Sequence, residues 1–260
     1  MIKENERFSD SCIFEGMTSI RALLSNIKDK KENARKIEKI FFDTEKAVSK
    51  HKEISYLKKM SSLFGFSVEP CNSEKIDSMT VGNSHGGIIA VCSEKSYPEL
   101  SKEHIKPNGF YVMIEGIEDP YNFGYALRSI YASGVDGVVL SPRNWLSAAG
   151  VVCRSSAGAS ELCDAFIAGD NFIELFKDSG YKVVCADIKN SVSVYEADLK
   201  KPIFLIVGGE KRGISSKIIS QADEIVRIDY GRDFQNALSA ASAATILAFE
   251  VFKANDKLSS

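Results

Sequence analysis

From residue 110 to residue 228 the chain repeats one pattern: a short uninterrupted apolar run, a turn, then a stretch with helical spacing. The apolar runs fall at 110–114, 137–140, 182–186, 203–207 and 225–228. Helical stretches lie at 125–133, 147–159, 171–178 and 215–221, and a long one runs from about 236 to 253. A strand that is apolar at every position buries both of its faces, as a parallel sheet covered by helices requires. The pattern predicts an α/β domain whose ligands bind where the strands end.

The N-terminal part reads as a second, smaller α/β unit. A short helix is expected at 19–24 and a strand at 39–43. Asp43-Thr44 then offers an N-cap for a long helix through Phe64, with Ala47, Ile54, Leu57, Met60 and Phe64 on its apolar face. A strand at 66–68, a helix at 73–79 and a strand at 87–92 complete the unit. Residues 94–108 hold two of the six prolines and lack a sustained apolar face, so they read as a linker. The expected domains are therefore 1–93, the linker 94–108, and 109–260.

Composition narrows the class. Hydrophobic residues make up 44% and charged residues 26%, ordinary for a soluble globular protein. No run approaches the roughly 20 apolar residues of a membrane span. The charged opening, residues 1–7, lacks an apolar signal core, which predicts a cytoplasmic protein. Six cysteines stand singly with no C-x-x-C pair, and only three histidines accompany them. That spacing predicts reduced, packed thiols and no metal site. The net charge of −2 argues against a general nucleic-acid coat, but it is unevenly distributed. Residues 28–59 carry 11 Lys+Arg against 6 Asp+Glu, an excess of five, which suits either a phosphate-facing surface or a solvated helix face.

The strand ends carry the chemistry. No G-x-G-x-x-G follows a strand, and Gly208-Gly209-Glu210-Lys211-Arg212-Gly213-Ile214-Ser215 lacks the Gly-Lys-Ser/Thr ending of a phosphate loop. At the first strand end, Asp119-Pro120-Tyr121-Asn122-Phe123-Gly124 leads to Arg128. Asn122 is placed either to cap backbone amides or to face a ligand. Arg128 suits either a surface ion pair or a site, as does Glu210 beside Lys211 and Arg212.

The order Asp-Pro-x-Asn-x-Gly-x-x-x-Arg-Ser resembles the first motif of the SpoU/TrmH branch of the SPOUT RNA methyltransferases. Residues 204–213, a strand running into Gly-x-Glu-x-x-Gly, resemble the second. Ile228 with the helix from Asn236 to Glu250 resembles the third. Phe14-Glu15-Gly16 and His85-Gly86-Gly87-Ile88-Ile89-Ala90 are similar to that family's ribosomal-protein-like RNA-binding domain. The resemblance thus implies a parallel-sheet SPOUT domain with a deep trefoil knot, an N-terminal RNA-binding domain and a homodimer. It implies S-adenosyl-L-methionine held through Ala186, Gly208, Gly209, Ile228 and Leu238. It also implies methyl transfer to a ribose 2′-hydroxyl of RNA, ribosomal rather than transfer RNA, with Arg128, Asn122, Glu210 and Ser239 as catalytic residues. An arginine is a poor proton acceptor near neutral pH, so Arg128 is expected to orient the ribose-phosphate and stabilise developing alkoxide charge.

The third motif departs from the family pattern. Where family members carry Ser-Leu-Asn-x-Ser, this chain has Ala237-Leu238-Ser239-Ala240-Ala241. Asn236, in a preceding loop one residue longer, is a neighbouring candidate to substitute for the asparagine. The departure also motivates an alternative, a non-catalytic RNA-binding protein that retains the SPOUT fold.

Overall fold

The computed structural model describes residues 12–80, 85–141 and 148–256. The chain divides into two compact units, residues 1–96 with 144–162 and residues 97–143 with 163–260. The charged opening and Ser147 lie outside the described residues.

In the first unit, β1 (Ile13–Glu15), β2 (Ile37–Asp43), β3 (Ser67–Cys71) and β4 (Ile88–Cys92) form a sheet of order β1-β4-β2-β3, parallel only between β2 and β3. The helix α1 (Gly16–Lys28) buries Ile20, Leu23 and Leu24, the i, i+3, i+4 stripe of a core-facing helix. The expected long helix after Asp43 is instead α2 (His51–Phe64), and residues 44–50 run as turns. The cause is Asp43 itself. Its buried carboxylate accepts Glu45 N–H at 2.9 Å and the Ser73 hydroxyl at 2.8 Å, so it closes a turn onto α3 (Ser73–Met79) rather than opening a helix. His85 is likewise spent on a turn. Its Nδ1 accepts Gly87 N–H at 3.0 Å, which leaves Nε2 to donate to Asp77 at 3.0 Å.

The stretch 149–162 forms α5 (Ala149–Ser155) and α6 (Ala159–Leu162) and packs within the first unit. Positive φ at Ala157 and Gly158 breaks the single helix expected there. Arg35 Nε meets Glu161 Oε1 at 3.2 Å with both side chains almost fully buried, and Ala149 and Cys153 join the apolar core. Arg35, counted among the basic residues of 28–59, therefore does not face phosphate.

The second unit holds seven parallel strands: β5 (Phe110–Glu115), β6 (Gly137–Leu140), β7 (Ala165–Ile167), β8 (Lys182–Ala186), β9 (Val192–Ser193), β10 (Ile203–Gly208) and β11 (Glu224–Arg227). Their order is β7-β6-β5-β10-β8-β11-β9. The helices α4 (Pro120–Ala132), α7 (Phe172–Asp178), α8 (Ser216–Ile219) and α9 (Ala240–Asn255) connect and follow them. Most of the expected linker, from residue 97, belongs to this unit. Leu100 N–H donates to Ile167 O at 2.8 Å, and Leu100 and Ile105 enter an apolar core around Phe176 and Phe204. Two isolated apolar residues in a polar stretch are enough to dock it. Among the described residues no helix is long and apolar enough to cross a membrane, and no group of three His, Cys, Asp or Glu is placed to hold a metal.

Candidate active site

After β5 the chain turns toward β6, whereas after β10 it turns toward β8 and β11. Neighbouring parallel strands whose connections leave in opposite directions open a crevice at their carboxyl ends. The register pairs Gly208 with Glu115, so the loops beginning at Gly116 and Gly209 start side by side there.

Close backbone packing sets the shape of these loops. Gly209 N–H donates to Glu115 O at 2.5 Å, and a Cβ on Gly209 would run into the Gly116 carbonyl. A Cβ on Gly208 would lie 2.6 Å from the Gly213 carbonyl carbon, so no other residue fits at either position. The Glu115 carboxylate then accepts Ser215 N–H at 2.9 Å and closes the second loop. Sequence reasoning passed over Glu115. Its signal is an acid as the last residue of a buried strand, directly before glycine.

Asp119 caps α4 by accepting Asn122 N–H at 2.8 Å, with Pro120 at the first helical position. The helix therefore starts five residues before the expected 125. Asn122 is not the cap but a residue of the first turn, with its side chain released toward the crevice. There Asn122 Nδ2 donates to Glu210 Oε1 at 3.2 Å, while Lys211 pairs with Glu118 at 2.7 Å on the surface. The two loops are thus tied by side chains as well as by backbone.

Arg128 is exposed, and among the described residues no carboxylate pairs with it. It stands six residues beyond Asn122 on α4, roughly 9 Å along the axis and about 120° around it. It shares its stripe with the exposed Tyr121 and Tyr125. The structure therefore joins Asn122 to Glu210 and leaves Arg128 apart from both.

Gly208, Ala186 and Ile228 are half-buried at or just beyond the carboxyl ends of three neighbouring strands, β10, β8 and β11. Gly209 instead turns into the packed loop pair. Leu238 N–H donates to the Tyr230 phenol at 3.1 Å, a partner with no signal in the spacing. Ser239 is the N-cap of α9, its hydroxyl accepting Ser242 N–H at 3.1 Å. Asn236 is exposed in the preceding loop.

Two family models match the chain: the SpoU rRNA Methylase family over residues 109–249, and RNA 2'-O ribose methyltransferase substrate binding over residues 13–98. A putative TrmH family tRNA/rRNA methyltransferase of Staphylococcus saprophyticus is 28% identical over 208 residues, 77% of this chain and 83% of the relative. Among solved structures, an AdoMet-bound rRNA methyltransferase from Sinorhizobium meliloti superposes with a TM-score of 0.75 at 21% identity, covering 93% of this chain and 87% of that one. The SpoU methyltransferase AviRb from Streptomyces viridochromogenes, solved with AdoMet, gives 0.68 at 18% identity, covering 93% and 89%.

Proposed function

This chain belongs to the SpoU rRNA Methylase family, and from that premise we propose that it methylates a ribose 2′-hydroxyl of RNA in the cytoplasm, using S-adenosylmethionine. The observation that carries the reading is the Asn122–Glu210 contact at the β5/β10 switch point, a crevice of the sheet where ligand binding is expected.

The strand ends suit such a cofactor. Gly208, Ala186 and Ile228 are small or apolar and half-buried on adjacent strands, so an adenosine face has a surface to lie on. When bound, the cofactor supplies a methyl group on a sulfonium. The protein's task is to align the acceptor hydroxyl for in-line attack, which lowers the barrier without a metal. We assign Asn122 and Glu210 to shaping the acceptor pocket. Arg128 holds the ribose-phosphate and stabilises the alkoxide that develops as the O–H proton passes to water.

The finer parts of the reading follow the family. Ribosomal RNA is the favoured target over transfer RNA. The unit beginning near residue 13 binds the RNA, with the exposed Lys52, Lys58 and Lys59 of α2 contributing phosphate contacts. The final helix, α9, packs on α4 and β10 as the closing element of a trefoil knot. A second copy covers the exposed aromatic residues of α4 and α9, namely Tyr121, Tyr125, Phe249 and Phe252. Arg128 shares the α4 stripe, so that pairing brings it to the protomer boundary.

One observation favours the second reading, a non-catalytic RNA-binding protein. Ser239, which stands where the family has asparagine, is engaged in capping α9. Mapping ribose methylation of total RNA from cells with and without the gene separates the two. The enzyme reading predicts one or a few nucleotides that lose methylation, and an unchanged map sinks it.

A further inference from the structure

The loop from Ile228 to Ser239 leaves β11 and reaches α9, which packs on β10 and α4. Because β8 lies between β11 and β10, the loop crosses the carboxyl end of β8, a lateral distance of two strand spacings or roughly 10 Å. It therefore runs over the same edge that carries Gly208, Ala186 and Ile228. On this crossing stand two aromatic residues that the core does not use. Phe234 is 53% exposed and Tyr230 is 39% exposed, with ring centroids 6.1 Å apart and planes inclined by 52°. That inclination leaves no slot for a base between the rings, while more than half of Phe234 stays exposed with Tyr230 as its neighbour.

Tyr230 is not loose. Its phenol oxygen accepts Leu238 N–H at 3.1 Å, so the pair is braced from across its own loop. Arg232 is exposed between the two rings in sequence, while the nearby Arg227 is held by Asp229 at 2.8 Å and by Ser191 O. An exposed, braced aromatic face with an exposed arginine beside it in sequence that makes no ion pair among the described residues, next to a site proposed to act on RNA, has the chemistry of a base-stacking surface.

We propose that Phe234, backed by Tyr230, stacks on an unpaired base of the RNA substrate and so positions the target nucleotide. Phe234 is a positioning residue, since it touches the base and not the reacting ribose. The proposal rests on the methyltransferase reading for its substrate class, but its test does not need turnover.

The probes are a fluorescein-labelled 12-nucleotide oligoadenylate and an abasic strand of the same length, compared by anisotropy at one salt concentration. The full-length protein is expected to bind the base-bearing strand about tenfold more tightly. Phe234→Ala should abolish that preference while leaving the abasic strand's affinity and the calorimetric Kd for S-adenosylmethionine unchanged. Phe234→Trp should restore the preference, and Tyr230→Phe, which loses the brace, should halve it. Equal binding of the two strands by the wild type, or a preference that survives Phe234→Ala, overturns the proposal. So does a change in oligomeric state on Phe234→Ala, read from the mass of the assembly in solution, which would make this face an interface between copies. If the preference behaves as stated but no RNA is methylated, the stacking surface stands and the enzyme reading falls.

Discussion

In the first unit the side chains of Arg35 and Glu161 are 2% and 1% exposed, and Lys95 reaches the same carboxylate at 3.7 Å, whereas in the second Glu210, Lys211 and Arg212 stand in solvent at the carboxyl edge of the sheet and Arg128 on the open face of α4. Residues 149–162 are more than a hundred positions from α1 and β2, and the buried ions hold them there, helped by an Arg154–Glu15 pair at 2.5 Å. The second unit needs no such staple, because a seven-stranded parallel sheet buries enough apolar surface on its own. Its charges lie at the surface, several of them in exposed pairs such as Lys211 with Glu118. Buried charge here is architecture, and charge at the strand ends is what the proposed function assigns to chemistry.

Removing one member of each kind separates the two roles. Glu161→Ala removes the buried carboxylate that Arg35 and Lys95 share and should destabilise the first unit by about 3–5 kcal/mol, read as an earlier denaturant transition for that unit. A loss under about 1 kcal/mol would mean the cluster is not a staple. Arg128→Ala should do the reverse, leaving the transition unmoved while methyl transfer falls at least about a hundredfold, or about 2.7 kcal/mol. Its cofactor affinity should stay within twofold.

Asp136 tests whether any charge of the second unit is structural. Burial pushes its carboxyl up, but the Lys106 ammonium at 2.9 Å and Phe110 N–H at 2.8 Å outweigh that and hold it below its ordinary value. Lys106 is raised in turn, chiefly by its hydrogen bond to Asp136. Asp136→Ala leaves the buried Phe110 amide without its acceptor and should cost about 2 kcal/mol. A depressed folded pKa contributes stability above the unfolded value of about 4, and loses it as pH falls through the folded value. The Lys106 contribution is complete below its unfolded value of about 10.4 and is lost as pH rises through its raised folded value. Wild type and variant should therefore differ most between those limits and converge in acid. Parallel curves down to pH 2 would show that the carboxylate is not the source. The smallest effect is expected at Ser239→Ala, about 1 kcal/mol through loss of the α9 cap. Ser239→Asn should keep the cap, since asparagine accepts the same amide.

Strand positions in the second unit were legible because two-sided burial writes continuous apolar runs, and 110–114, 182–186 and 203–207 each fall within an observed strand. The strands missed were β1, β7 and β9, of three, three and two residues, too short for periodicity to register. Helix starts shifted where a side chain chose a turn, as at Asp43, or where Asp119 and Pro120 together moved the start of α4 from 125 to 120. Strand order lay beyond reach, since nothing in residues 203–208 says that β10 inserts between β5 and β8. The Asn122–Glu210 contact depends on that insertion, so spacing alone named both residues without showing that they meet. The docking of 149–162 depends on long-range ion pairs through Glu161 and Arg154 and on Ala149 and Cys153 in the core, for which local pattern has no signal.

The central claim is methyl transfer to a ribose hydroxyl at the crevice beside Asn122 and Glu210. Ribosomal RNA from cells lacking the gene should be incubated with the protein and methyl-labelled S-adenosylmethionine, then hydrolysed in alkali. Alkaline cleavage needs a free 2′-hydroxyl as internal nucleophile, so a methylated ribose protects its own phosphodiester. Label is expected in alkali-stable dinucleotides, and is expected to be lost with Arg128→Ala. Label in mononucleotides, which marks a base as acceptor, or no transfer at all, would contradict it.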